Sequence, residues 1–304
     1  MKQNQHSLTS LVSAFGRAYH SKYDSPKIID DYLAEKLITE DEFKEISHNL
    51  VQGIHFFNQE IGHKYQHDSD EILKWVTQVQ LSPIPLARQA FCERVLKNEI
   101  ELGLKQYVIL GAGLDTFSFR HPELSHQLEI FEVDHPNTQK FKLERLAFAQ
   151  LEIPPHLQFI PMDFSKPFSN HTFKQYRIKE NKTLFSLLGV SYYVTKEEFT
   201  HLLDHIFSIV PSGSSIVFDY PDETLFSENG FSNRVKNMLK MAEVSGEPMK
   251  SSFSYEEMEL ILENLGLLIY EHLTTKEIND EFFTGRTDYL NAFETVRFLH
   301  AVKR

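Results

Sequence analysis

The stretch VILGAGLDTFSFR, residues 108–120, decides the fold. Val108, Ile109 and Leu110 form a short apolar run that ends on a Gly-Ala-Gly turn. A run of that kind reads as a buried strand running into a loop. Gly111 and Gly113 let the backbone approach a ligand closely or take positive φ, and a tight strand-to-helix turn with no ligand accounts for them equally. The dinucleotide fingerprint GxGxxG wants a third glycine where Thr116 stands, which counts against NAD. No Lys-Ser/Thr pair follows, so the loop is not a P-loop either.

Outward from this loop the chain alternates. QLEIFEVDHP reads as a second strand, ended by Asp134 and Pro136, and HLQFIPMDF as a third. TLFSLLGVSYYV, SGSSIVFDYP, LLIYEHL and ETVRFLHAVK read as further strands. NTQKFKLERLAFAQL, KEEFTHLLDHIFSIV and SYEEMELILENLG read as helices, the last stopped at Gly266. Strand and helix in alternation imply right-handed crossovers and a parallel sheet covered on both faces. Before residue 105 the texture is helical: SPKIIDDYLAEKLI, DEFKEISHNLVQGIHFF and PLARQAFCERVLKNEIEL space apolar residues by three and four. Ser25-Pro26, and Thr39 with Glu42 three residues on, are helix-start signals. The expected division is a helical cap over 1–104 and an α/β domain over 105–304.

The 304 residues are 41% hydrophobic, enough for a packed core, and carry a formal net charge of -12. That balance argues against a nonspecific grip on nucleic acid, which needs a cationic surface. A single cysteine, Cys92, permits no intramolecular disulfide and no cysteine-based zinc site. The first twenty residues lack an apolar core followed by a small-residue cleavage site. No apolar stretch approaches the roughly 20 residues that span a bilayer. The expectation is a soluble cytoplasmic protein with no membrane or nucleic-acid partner.

In such sheets ligands bind beyond the carboxyl ends of the strands, where strand order reverses. The glycine loop, Asp134 and Asp163 fall at equivalent ends of three successive strands. A carboxylate at Asp134 can accept from both hydroxyls of a ribose; as a helix cap before Pro136 it would need no ligand. Glu132, two residues earlier, shares its sheet face and is the fallback. Asp163 can accept from an adenine amino group, with Phe164 against the ring, although Asp followed by Ser165 and Pro167 also favours a simple turn. Together these features suggest an adenosine ligand.

VILGAGLDTFSFR, FEVDHPNTQKFKLERL, PMDF and TLFSLLGVSYYV, in this order and spacing, resemble the leucine carboxyl methyltransferase family, which includes bacterial relatives of the tetracenomycin-pathway carboxyl methyltransferase. SLTSLVSAFGRAYHSKYDSPKIIDDYLA resembles that family's opening helices. The resemblance implies a class I S-adenosylmethionine-dependent methyltransferase with a Rossmann-like seven-stranded sheet, the last strand antiparallel, and an N-terminal helical cap. It implies that the cofactor lies over Gly111, Ala112 and Gly113, with Asp115, His135 and Gly189 beside it. Asp134 would hold the ribose, and Asp163 with Phe164 the adenine. Arg88 in PLARQAF would grip the methionine carboxylate, a pairing suited to a guanidinium; spacing alone reads Arg88 as a solvated helix face. The family often carries a glutamate before the fourth-strand glycine. Here Leu188 takes that place, and a backbone carbonyl near Gly111 or Gly189 would have to substitute.

Methyl transfer from a sulfonium is an in-line displacement, so positioning and desolvation carry it when the acceptor is a carboxylate. A hydroxyl acceptor needs a base or a matched hydrogen bond. The expected acceptor is a small molecule methylated on a carboxyl or hydroxyl oxygen. Tyr192 and Tyr193 are the candidates for a catalytic role, with Tyr220 and Arg286 as further acceptor contacts, and each is also accounted for by packing or a surface turn. Residues 222–251 are expected to help cover the acceptor as a lid. His63 and His67 form a close pair without an adjoining acidic constellation, so no metal is expected. Two alternatives stand beside this reading: a non-catalytic S-adenosylmethionine or adenosine-ligand sensor, kept open by Leu188, and a nicotinamide dehydrogenase.

Overall fold

A computed structural model describes residues 8–164, 173, 178 and 181–304. The strands are β1 (Gln106–Leu110), β2 (Glu129–Asp134), β3 (Leu157–Pro161), β4 (Thr183–Leu187), β5 (Ser215–Pro221), β6 (Leu267–Leu273) and β7 (Val296–Lys303). They form one sheet in the order β3-β2-β1-β4-β5-β7-β6. The first five strands pair in parallel; β7 runs antiparallel to both β5 and β6. This is the sheet the resemblance implies. Strand order reverses between β1 and β4, so the loops leaving those two strands flank the switch point.

The period-2 alternation of buried strands sorts their side chains onto two faces. Tyr107, Ile109, Ile130, Leu184 and Val217 face one core with helix α6 (Pro83–Glu101), through its Leu86, Phe91, Cys92 and Val95. Val108, Leu110, Phe131, Phe185, Phe218 and Tyr220 face the other, with the helices Lys196–Phe207 and Tyr255–Asn264. A third core joins α1 (Leu8–Tyr23), α2 (Glu40–Gln52) and α5 (Ser69–Val76) with Leu114 and Leu146. The short helices α3 (Ile54–Phe57) and α4 (Gln59–Lys64) complete this N-terminal group. No helix among the described residues is long and apolar enough to cross a membrane.

Thr39 and Glu42 form a reciprocal capping box at the start of α2. The helical run expected through residue 57 breaks at Gly53, whose N–H caps α2. SPKIIDDYLAEKLI is not the helix its spacing predicts; its one regular piece is a 3₁₀ turn, Ala34–Leu37. Tertiary polar contacts override the periodicity there. Asp31 is fully buried and accepts from Arg17, Thr116 and the Ala34 N–H, while the Ile28 N–H donates to His20. The fourth strand also ends earlier than expected, at Leu187, because the chain turns at Gly189 with φ of +70°.

Glu132 sits beneath the helix Pro136–Phe148, where Lys142 pairs with it in a fully buried salt bridge. Burial pushes the Glu132 carboxyl up to about 7, against the pull of Lys142. The folded carboxyl thus binds its proton more tightly than the unfolded one, and the stability it contributes falls as pH rises from about 4.5 to about 7. Lys142→Met should cost about 3–5 kcal/mol by stranding the carboxylate. That loss should be larger at about pH 8 than at about pH 5.5, where protonation relieves it. Glu132→Leu with Lys142→Met should recover most of the loss. Urea unfolding at the two pH values checks all three outcomes.

Candidate functional site

The parallel strands end in register, so β1, β2 and β4 deliver their following residues to one edge of the sheet. There the structure forms a cleft of about 400 Å³. Its floor is the β1 loop. Gly111 and Ala112 both donate to Val133 O, at 2.8 and 3.3 Å. Gly111 has φ of +74°, and a Cβ there would lie 2.5 Å from Val190 Cγ2. Only glycine suits that position. Thr116, standing where a dinucleotide loop has its third glycine, is fully buried and donates to Asp31 at 2.5 Å. That position is used to tie the loop to the N-terminal helices. Asp115 accepts from the Phe117 N–H at 2.7 Å and from Gln89 at 3.3 Å, orienting the loop.

Asp134 leaves β2 beside the loop. One carboxylate oxygen accepts from the Gly113 N–H at 2.5 Å and the other from the His135 N–H at 2.6 Å. Burial raises its carboxyl above the usual range, and these two amides oppose that rise. Each oxygen keeps lone pairs for the cleft it borders. His135, not Asp134, caps the following helix, accepting from the Asn137 N–H at 3.2 Å. Its Nε2 lies 3.8 Å from Asp163, which borders the cleft with Phe164. The turn expected at Ser165 and Pro167 lies outside the described residues. Glu132 takes no part in the cleft, being consumed by Lys142.

The opposite wall comes from the turn after β4 and from α6, braced from behind by β5. Asp219, fully buried near the end of β5, accepts from the Gly189 N–H at 2.6 Å, the Tyr192 hydroxyl at 3.1 Å and Arg88 at 3.2 Å. Arg88 is therefore aimed into the cleft and is no solvated surface residue. Leu188 lines the cleft beside it. Burial and the Asp219 charge hold the Tyr192 phenol well above its ordinary pKa; burial, then Glu247, pushes Tyr193 up to about 12. At neutral pH both are hydrogen-bond donors and not bases.

Arg88, Gly111, Ala112, Gly113, Asp115, Asp134, His135, Asp163, Phe164, Gly189 and Tyr193 all border this one cleft. Tyr192 faces a second cavity next to it. Tyr220 and Arg286 lie elsewhere. The alternation that turns Asp219 toward α6 turns Tyr220 to the other face, where its hydroxyl meets His272 at 2.9 Å. Arg286 is neutralised by Asp288 and donates to Pro26 O at 2.6 Å, bracing a surface turn.

Sequence reasoning missed Asp219, Arg17 and Thr138. Asp219 carries a readable signal, an acidic residue near the end of an apolar strand, as in FEVD. Arg17 reaches the cleft from α1 and donates to Leu114 O at 2.8 Å, which only the tertiary fold reveals. Thr138 lines the cleft with a buried hydroxyl that has no hydrogen-bond partner among the described residues. Among the described residues no group of three or more His, Cys, Asp or Glu side chains is placed to hold a metal ion. His63 packs against the His55 ring.

Two substitutions test this wall. Asp219→Ala strands Arg88 and the Gly189 N–H and should cost about 3 kcal/mol. Gly189→Ala adds a Cβ that would lie 2.3 Å from Arg88, whereas Gly213, also at positive φ, has open space around it. Both alanines incur backbone strain of about 1–3 kcal/mol, so Gly189→Ala should lower the thermal midpoint further than Gly213→Ala. Equal midpoints would show that Arg88 yields freely.

The leucine carboxyl methyltransferase family pattern matches residues 10–207. A protein from Bacillus subtilis strain 168, named putative S-adenosyl-L-methionine-dependent methyltransferase YktD, is 61% identical over 304 residues, the whole of both chains. A putative S-adenosyl-L-methionine-dependent methyltransferase from Mycobacterium bovis BCG is 24% identical over 236 residues, 77% of this chain and 71% of the relative. Magnesium protoporphyrin IX methyltransferase from Synechocystis PCC 6803, solved with bound SAH, overlaps with a TM-score of 0.46 at 15% identity, over 81% of this chain and 99% of that one. By the extent of the family match and the full-length relative, the chain belongs to the leucine carboxyl methyltransferase family.

Proposed function

We propose that this S-adenosylmethionine-dependent methyltransferase methylates a carboxyl or hydroxyl oxygen of a small molecule. One observation carries the cofactor's place: a single cleft gathers a glycine turn, an amide-held Asp134, Asp163 with Phe164, and Arg88. The residues fit the ligand. Asp134 retains acceptor capacity for ribose hydroxyls, Thr138 has a hydroxyl in the same wall that no described residue engages, and Arg88 offers a guanidinium to a carboxylate. S-adenosylmethionine supplies an electrophilic methyl group and a thioether leaving group. The chain's own residues bind, orient and exclude water.

The lining favours a carboxylate acceptor. The acceptor oxygen's lone pair forms the new C–O bond as the C–S bond breaks, the electron pair leaving with sulfur. A carboxylate becomes a neutral ester and no proton moves. Tyr193, held protonated by burial, is suited to steer the acceptor and not to deprotonate it, while Tyr192 spends its hydroxyl proton on Asp219. In this reading α1 and residues 222–251 form the cover over the acceptor.

Isothermal titration should show S-adenosylmethionine binding with no uptake of NADH. Binding of NADH, or no binding of S-adenosylmethionine at about 1 mM, contradicts the assignment. Asp134→Ala should weaken cofactor binding by about 1–3 kcal/mol if the ribose bonds form. With a carboxylate acceptor the turnover rate should stay level from about pH 6 to 9, since no base titrates in the step.

A further inference from the structure

A second cavity of about 190 Å³ adjoins the cofactor cleft and shares Arg88, Gly189 and Tyr193 with it. Its far wall is apolar: Val12 of α1, Leu81 and Ile84 before and within α6, and Met238, Met241 and Met249. Met238 and Met241 belong to the helix Arg234–Val244, inside the segment that the sequence could place only as a cover. Among the described residues no carboxylate, lysine or histidine lines this cavity. Several of its polar side chains are engaged by the protein itself. Gln80 donates to Arg234 O at 2.9 Å, Ser245 to Ala242 O at 2.8 Å, and Tyr192 to Asp219. Among the described residues Arg88 at the junction is thus the one charged group in its lining.

We propose that this cavity is the methyl-acceptor subsite, and that the acceptor is a small apolar monoacid whose carboxylate points back to Tyr193 at the mouth of the cofactor cleft. The proposal rests on the methyltransferase reading, since it needs a methyl donor in the adjoining cleft. The volume lies below the about 300–1,000 Å³ of drug-sized pockets, which limits the acceptor's body to a fused bicyclic ring or a short alkyl chain. Three flexible thioethers adapt to such a body without dictating one shape. A polyanionic metabolite would strand its extra charges against Met and Leu side chains, with no partner to offset their desolvation.

The test titrates the full chain, saturated with S-adenosylhomocysteine, with 1-naphthoate, decanoate and citrate. At least one of the two apolar monoacids should bind, and citrate should not. Met238→Gln with Met241→Gln should weaken the monoacid about tenfold while leaving S-adenosylhomocysteine within about twofold. Ile84→Trp, which fills the cavity without adding polarity, should weaken it likewise and serves if the first variant fails to fold. If S-adenosylhomocysteine binds but neither monoacid does at about 1 mM, or the variants bind the monoacid as the parent does, the acceptor assignment is overturned. Failure to bind S-adenosylhomocysteine at all overturns the methyltransferase reading and this assignment with it.

Discussion

The buried carboxylate of Asp219 is the contact on which the site depends. It has no solvent exposure, so its charge must be met by protein donors. Gly189, Tyr192 and Arg88 supply them, from the β4 turn and from α6. One carboxylate thus fixes three things: the left-handed turn that ends β4, the phenol that borders the second cavity, and the aim of Arg88. Hydrogen bonds to an ionised acceptor are the stronger kind. The Arg88 side chain keeps 18% of its surface exposed, enough to meet a ligand while still paired.

A second buried carboxylate, Asp31, does the same for the opposite lip. It joins Arg17 of α1 to Thr116 of the glycine loop, and Arg17 in turn holds Leu114 O. The N-terminal helices are therefore bound to the cofactor loop by polar contacts as well as by the core around Phe15 and Trp75. The two networks bracket the switch point of the sheet. Between them the backbone of Gly111 passes so close to Val190 that no side chain fits. Shape on this floor comes from backbone, and charge comes from the walls.

Much of this was legible before any coordinates. VILGAG and FEVD carry strong local signals: an apolar strand, then a residue type that only a turn or a ligand explains. The parallel sheet followed from strand and helix alternation. What escaped was tertiary. SPKIIDDYLAEKLI has helical spacing, yet Asp31 is worth more as a buried acceptor than the segment is as a helix. Tyr220 reads as a pocket residue because it is aromatic at a strand end; the pleat turns it to the other face and sets its neighbour Asp219 behind the cleft wall, holding Arg88. Arg286 reads as either an acceptor contact or a surface turn, and its pairing with Asp288 and Pro26 O makes it the turn. The acceptor wall was illegible because Val12, Ile84 and Met241 lie far apart in the chain and meet only in space.

The structure of the protein with S-adenosylhomocysteine tests the central claim most directly. The account predicts the adenosine between Asp134 and Asp163, with the ribose hydroxyls on Asp134 and the amino-acid carboxylate on Arg88. A ligand bound outside this cleft, or one whose carboxylate leaves Arg88 paired with Asp219 alone, would contradict it.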